Sequence, residues 1–130
     1  MSEWVFVYGS LRRGAPGGMS RLLQPGSRPG GRARVRGRLL DLGAWPGLVA
    51  DVTGWVQGEL HHLRDPDQVL ARLDCYEGCA SGQPTSGFQR IEMQAFRSGG
   101  RAVRAWAYVY TGTRAGRAWM TSGDWLRRGR

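Results

Sequence analysis

The amino-acid sequence predicts an α+β fold, a small mixed β-barrel of about six strands with one or two flanking helices. Two observations lead to this prediction. Short apolar or alternating segments, typical of strands, recur along most of the chain. A helix start signal followed by apolar residues at helical spacing is found near residue 65. The regular strand–helix alternation of a doubly wound parallel sheet is therefore missing.

Turn residues set the limits of the predicted strands. These strands cover residues 4–8, 35–42, 48–50, 54–60, 88–96 and 103–110. The first is almost entirely apolar, which indicates a strand buried on both faces. The last two are joined by the Ser-Gly-Gly-Arg sequence of residues 98–101, which predicts a β-hairpin. Glycines and a proline at residues 14–18 predict a loop, and residues 19–23 a short helical turn.

The predicted helix begins with an Asp-Pro-x-Gln sequence. Asp65 can cap the helix, Pro66 suits the first helical position, and a glutamine follows three residues after the cap. The helix then carries an apolar stripe made of Val69, Leu70 and Leu73. Gly78 is expected to end it. This amphipathic pattern predicts a helix that packs one face on the sheet.

The composition is that of a single domain spanning residues 1–130. Hydrophobic residues make up 41% and charged residues 22% of the chain, both ordinary values for soluble globular proteins. No apolar stretch is long enough to predict a membrane span. The first residues lack the basic and apolar regions of a signal peptide, so a cytoplasmic location is expected.

The formal net charge of +9 raises the question of nucleic-acid binding. The chain has arginine but no lysine or asparagine, a composition typical of a GC-rich coding sequence. The arginines of residues 32–38 alternate with other residues and are expected to line one solvated face of a strand. No aromatic platform or helix-turn-helix pattern is evident, and the tryptophans are predicted to pack in and around the core. Nucleic acid is therefore not the predicted main partner.

The first strand runs directly into the sequence Tyr8-Gly9-Ser10-Leu11. Gly9 would let a ligand approach the backbone, and successive N–H groups at a strand end can hold a carboxylate or a developing oxyanion. The alternative is an ordinary strand-ending turn. Ser10 lies outside any G-x-S-x-G sequence and no Ser-His-acid order is evident, so serine hydrolase chemistry is not predicted.

Glu77 is the candidate general base. It follows Leu73 by four residues, so it can lie on the apolar face at the helix end. The negative end of a helix dipole and partial burial both raise the pKa of a carboxyl toward the range useful for proton transfer. The alternative is a solvated glutamate at a frayed helix end. Asp74 is expected to be a surface charge or a local hydrogen-bond acceptor.

The two cysteines and two histidines do not predict a metal site. Cys75 and Cys79 have an atypical C-x3-C spacing with Gly78 between them. His61 and His62 are adjacent on a predicted strand and would point to opposite faces. Neither a metal nor a disulfide framework is predicted from these residues.

Taken together and in order, these motifs resemble the gamma-glutamylcyclotransferase-like family over nearly the whole chain. The family opens with an apolar strand, then Tyr-Gly-Ser/Thr-Leu, two variable residues and Gly, and its glutamate lies in a Leu-Asp-x-aromatic-Glu segment. The matching segments are residues 5–14, 35–39, 46–49, 56–60, 73–77, 88–90, 107–110 and 122–125.

The resemblance implies a small β-barrel with flanking helices and a cavity between the Tyr-Gly-Ser-Leu loop and Glu77. It implies that the backbone of Tyr8, Gly9, Ser10 and Leu11 holds the carboxylate end of a small gamma-glutamyl substrate. Glu77 would take a proton from the substrate's α-amino group and return it to the leaving amine. The products would be 5-oxoproline and a free amine, with no metal or cofactor.

The resemblance also bears on three further positions. Tyr110 is expected to contribute a hydroxyl to the cavity, although an aromatic on a central strand can equally be a core residue. Arg90 is expected to be structural, as an ion-pair partner. Phe88 replaces the tyrosine usual in the aromatic-x-Arg element, and the loop of residues 79–87 is longer than usual.

A non-catalytic ligand- or partner-binding module is the alternative function, and the retained Glu77 favours catalysis.

Overall fold

The computed structural model describes residues 3–9, 23, 26–43, 45–77 and 87–125. These residues form eight strands and one helix. The elements are β1 (Trp4–Val7), β2 (Ser27–Arg36), β3 (Arg38–Asp41), β4 (Pro46–Val49), β5 (Trp55–Leu63), α1 (Pro66–Glu77), β6 (Phe88–Arg97), β7 (Ala102–Tyr110) and β8 (Ala118–Met120).

The strands of the described chain form one sheet in the order β1-β5-β2-β6-β7-β4-β3-β8. An additional pairing between β1 and β7 closes β1, β5, β2, β6 and β7 into a five-stranded barrel. The pairings of β7 with β1 and with β4 are parallel, and the other strand pairs are antiparallel. The predicted α+β class and mixed barrel are therefore confirmed.

Two apolar clusters follow from the alternation of side chains along the barrel strands. The inner cluster fills the barrel and includes Phe6, Tyr8, Val35, Leu60 and Ala107. The outer cluster joins α1 to the barrel wall. In it, Val69, Leu70 and Leu73 of the helix pack with residues of β1 and β7, among them Val5, Val7 and Tyr108.

The helix begins where the sequence predicts. The Asp65 side chain accepts a hydrogen bond of 3.4 Å from the backbone N–H of Gln68, as an N-cap does. The predicted stripe is buried, with Leu73 fully inaccessible. The described helix extends to Glu77, and Gly78, which was expected to end it, lies outside the described residues. Within the described ranges, no helix is long and apolar enough to cross a membrane.

The strand pattern differs from the prediction at three places. The predicted single strand over residues 35–42 is wrong, because β2 ends at Arg36 and β3 begins at Arg38. Gly37 lies between them, and a Cβ there would come within 2.8 Å of both a Leu48 side-chain atom and the Val49 carbonyl oxygen. The prediction also missed the first part of β2 and the short strand β8. The described chain consequently has eight strands rather than about six.

The hairpin between β6 and β7 is confirmed. Gly99 and Gly100 have φ angles of 92° and 86°, a left-handed conformation that favours glycine. The helical turn predicted at residues 19–23 lies outside the described residues except for Leu23, which is buried in the outer cluster.

Candidate active site

Strands β1 and β4 both pair with the same edge of β7, one after the other along its length. Val5 of β1 pairs in parallel with Trp106, and Leu48 of β4 pairs in parallel with Val109. Along β7, β1 therefore gives way to β4, and the chain leaves the barrel where the two strands separate. We call this junction of β1, β4 and β7 the seam. In open α/β sheets, ligands bind in comparable crevices at the carboxyl ends of diverging strands.

Tyr8 joins the three strands of the seam. Its side chain is buried, with 7% of the residue exposed. The hydroxyl donates a 2.6 Å hydrogen bond to the Tyr108 carbonyl and accepts a 3.1 Å bond from the Leu48 N–H. The side chain is therefore engaged in the fold, and the predicted contact of the Tyr8 backbone with a substrate stays a prediction.

Gly9 follows at the point where the chain leaves β1. A Cβ at this position would lie 3.0 and 3.1 Å from two ring carbons of Pro46, at the start of β4. These distances are tighter than ordinary van der Waals contact, so a side chain would push the two strands apart. Ser10 and Leu11, also predicted to bind substrate, lie outside the described residues.

The strand register and the contacts of α1 place the end of this helix at the same end of the barrel as Gly9. Strand β5 runs antiparallel to β1, with Val7 opposite Glu59 and Trp4 opposite His62. It therefore ends at the far end of the barrel from Gly9, where the Leu63 N–H donates to the Glu3 carbonyl. Helix α1 starts there and runs back along the barrel wall.

Contacts near the end of α1 confirm this direction. Asp74 reaches Tyr108 of β7, and Tyr108 lies close to the carboxyl end of that strand. The carboxyl end of β7 is at the same end of the barrel as that of β1, because the two strands are parallel. Glu77 is the last residue of α1, and its backbone therefore lies at the same end of the barrel as Gly9. Its catalytic role stays a prediction.

A polar cluster fixes α1 one turn before Glu77. The Arg90 guanidinium donates bonds of 2.8 and 3.1 Å to the two carboxylate oxygens of Asp74. The Tyr108 hydroxyl donates a further bond of 2.6 Å to the same carboxylate. The Arg90 guanidinium also lies 4.4 Å from the ring centre of Trp106. Hydrogen bonds to charged groups of this kind are stronger than neutral ones.

This cluster confirms one expectation and corrects another. Arg90 is an ion-pair partner, as expected. Asp74 is not a surface charge or a local acceptor, because its side chain is 13% exposed and its partners lie on β6 and β7. The sequence pattern missed this role, since residues 74, 90 and 108 are far apart in the chain and only the barrel brings them together.

Tyr110 and Phe88 lie beside each other at this end of the barrel. They are cross-strand partners, with ring centres 5.5 Å apart. The Tyr110 hydroxyl donates a 2.7 Å hydrogen bond to the Thr113 carbonyl. The predicted contribution of this hydroxyl to a substrate cavity stays a prediction, and it would require the bond to Thr113 to be exchanged or shared.

The histidines and the cysteine of the described chain lie apart from this arrangement. The His61 Nε2 atom is 3.7 Å from a Glu59 oxygen, and the His62 ring packs edge-on against Trp4. Cys75 is exposed, and Cys79 falls outside the described residues. Among the residues that the structure describes, no group of three His, Cys, Asp or Glu side chains could hold a metal ion.

A comparison with protein families shows which family this chain belongs to. The chain belongs to the gamma-glutamyl cyclotransferase, AIG2-like family, whose sequence model matches residues 5–127. No curated protein sequence matches the chain significantly.

Several solved structures share the fold of this chain. Protein ytfP from Escherichia coli is 30% identical with a TM-score of 0.66, and the match covers 98% of this chain and 99% of that one. An AIG2-like protein from Mus musculus, GGACT, is 25% identical with a TM-score of 0.70 and coverages of 97% and 83%. YkqA from Bacillus subtilis is 24% identical with a TM-score of 0.70. That match covers 96% of this chain but only 40% of YkqA, and it shows the fold alone.

Proposed function

We propose that this chain is a gamma-glutamyl cyclotransferase that converts a gamma-glutamyl amine or peptide to 5-oxoproline and a free amine, with Glu77 as the general acid and base. Family membership supports this class of reaction. The observation that carries the proposal is the convergence of Gly9 and the end of α1 at one end of the barrel. This common location of Gly9 and the Glu77 backbone supports the proposal that the strand end and the glutamate contribute to one site.

The proposed reaction needs one proton carrier. Glu77 accepts a proton from the substrate's α-amino group, which frees the nitrogen lone pair. That nitrogen attacks the γ-carbonyl carbon, and a tetrahedral intermediate with an oxyanion forms. The bond from this carbon to the leaving nitrogen then breaks as Glu77 returns the proton to it. The ring nitrogen still carries a second proton from the ammonium group and loses it to the released amine as the ring carbonyl re-forms. The products are therefore 5-oxoproline and the protonated amine, and both protons are accounted for.

The proposed reaction needs few functional groups, namely one carboxylate and several backbone N–H donors. The nucleophile and the electrophile belong to one molecule, so holding the glutamyl chain curled supplies much of the acceleration by proximity. Backbone N–H groups of residues 8–11 would hold the substrate carboxylate, and donors of this kind stabilise developing negative charge. Neither a metal nor a cofactor is required by the proposed steps.

The clamp of Asp74 by Arg90 and Tyr108 supports the role proposed for Glu77. A proton carrier must be held close to its working position, since small displacements cost large factors in rate. The clamp secures the helix one turn before Glu77, where a helix otherwise frays. Such support for a catalytic residue from its surroundings is a general requirement of precise sites.

A substrate panel tests the reaction. The purified protein is incubated with gamma-glutamyl dipeptides and gamma-glutamylamines, and 5-oxoproline is measured by mass spectrometry. We expect release from at least one of these substrates, and the preferred one identifies the amine half. Complete absence of release from folded protein across both classes would contradict the proposed activity and favour a binding role.

A further inference from the structure

A surface depression lies on the outer face of β5, β2 and β6. It is a groove of about 350 Å³, a volume within the range of ligand-binding clefts. Its side-chain lining includes Arg32, Arg34, Arg97, Trp55, Gln57 and Phe96. None of these residues belongs to the candidate active site, and α1 packs on a different part of the barrel wall.

The positive charge of the groove follows from strand alternation. Arg32, Arg34 and Arg36 are exposed, while Ala33 and Val35 between them point into the barrel. Alternate residues on a strand are about 6.6 Å apart. The three arginine side chains therefore leave the outer face of β2 in a row, and Arg32 and Arg34 line the groove itself. Arg97 also lines the groove, but its guanidinium donates a 3.0 Å hydrogen bond to the Gly30 carbonyl and lies 5.3 Å from the centre of the Trp4 ring.

This row has little opposing charge in the described chain. The groove lining contains no described carboxylate. Glu59 pairs in register with Arg32, but its carboxylate is 3.7 Å from the His61 imidazole. Among the described residues, none of the three arginines of the row makes an ion pair, so their charge is available to an external anion.

Trp55 organises two of these arginines. The guanidinium carbons of Arg34 and Arg36 lie 4.1 and 3.8 Å from the centre of its ring. The ring of Phe96 packs edge-on against Trp55 at 5.5 Å between centres. Stacked guanidinium groups keep their N–H edges free while losing side-chain freedom before any ligand binds. No aromatic partner was evident in the sequence because Trp55 and Phe96 lie on other strands.

We propose that this groove binds the phosphate backbone of a single-stranded nucleic acid without sequence preference. The exposed arginines follow one another along β2, with alternate residues about 6.6 Å apart. Arginine forks bind phosphate oxygens in pairs, and a positively charged groove that follows the backbone is one component of single-strand binding sites. Here Trp55 holds Arg34 and Arg36 in place rather than offering a free face to a base. The net charge of +9 favours the encounter with any polyanion. The groove would bind the strand at a defined place on the surface, in addition to this general electrostatic attraction.

Fluorescence anisotropy with a labelled oligouridine or oligothymidine tests the proposal over a series of salt concentrations. In single strands, the slope of log K against log salt is about −0.7 per phosphate contact. The triple variant Arg32→Gln, Arg34→Gln, Arg36→Gln should therefore flatten the slope by about 2. The control variant Arg64→Gln, Arg114→Gln, Arg117→Gln loses the same charge from exposed positions outside the groove, and its slope should stay near that of the unmodified protein.

Two further comparisons distinguish specific binding in the groove from non-specific attraction to the positive charge of the protein. Replacing Arg32, Arg34 and Arg36 by lysine keeps the charge but loses the stacking of Arg34 and Arg36 on Trp55, so affinity should fall several-fold while the salt slope is retained. The unmodified protein should bind the single strand more tightly than a duplex of the same sequence or vesicles containing phosphatidylserine. Equal weakening in both glutamine variants, or tighter binding to duplex or vesicles, would overturn the proposal.

Discussion

Asp74 and Arg90 join the only helix of the described chain to the barrel through two hydrogen bonds of 2.8 and 3.1 Å. Both side chains are largely shielded from solvent, with exposed fractions of 13% and 25%. Tyr108 adds a third bond to the same carboxylate. The pair lies one helical turn before Glu77, so it ties the proposed catalytic residue to the fold.

Asp74→Asn should lower both stability and activity. The amide cannot accept all three hydrogen bonds, which leaves part of the Arg90 and Tyr108 donors unmatched, and we expect a loss of about 1–3 kcal/mol in the free energy of unfolding. Thermal or urea unfolding measures this loss, and kcat for 5-oxoproline release should fall more than KM changes. Asp67→Asn is the control, because Asp67 is exposed at the other end of the same helix. An Asp74 variant with unchanged stability and kcat would show that the clamp is unimportant.

Tyr8→Phe tests the seam. Removing the hydroxyl leaves the Leu48 N–H and the Tyr108 carbonyl without this partner in a buried place. A loss of about 1–3 kcal/mol is expected from buried polar groups that lose their bonds. Hydrogen exchange should show faster exchange of the Leu48 amide in particular. Uniform protection in the variant would indicate that β4 is held at the seam by other contacts.

Gly58→Ala should be among the most damaging small substitutions. A Cβ at residue 58 would run into the Val7 carbonyl oxygen and the Phe6 ring, so β1 and β5 could not pair at their present separation. Overpacking of this kind costs about 1–3 kcal/mol or more. Gly31→Ala is a control without a steric clash, since nothing lies within 4 Å of its Cβ position, although its φ of 91° adds strain. Comparison of the two melting temperatures checks the prediction, which fails if Gly58→Ala is the milder change.

Local patterns in the sequence predicted the pieces of the fold well. The helix start at residues 65 and 66, the hairpin at residues 98–101 and the buried strand β1 follow from caps, turn residues and apolar runs, which act over a few neighbouring positions. The division of residues 35–42 at Gly37 was not predictable in this way. It depends on the close approach of Leu48 and Val49, which only the folded sheet provides.

In the candidate site too, local motifs were predicted from the sequence and contacts between distant segments were not. The motifs around Gly9 and Glu77 were found from the sequence, and the strand register explains why they lie at the same end of the barrel. The role of Asp74 and the groove beside Trp55 depend on contacts between distant segments. Helical spacing predicts which side of the helix a residue lies on, but it does not predict which residue of another segment it contacts. The role of Asp74 and the groove beside Trp55 were therefore seen only in the structure.

The most direct test of the proposed function is 5-oxoproline release by the Glu77→Gln variant on the best substrate of the panel. Glutamine keeps the size of the side chain but cannot carry the proton, so release should fall by about 10²–10⁴-fold, the usual contribution of a general acid–base group. Glu92→Gln, on the outer face of β6, is the matched control and should retain activity. Unchanged release by folded Glu77→Gln would contradict the assignment of Glu77 as the proton carrier.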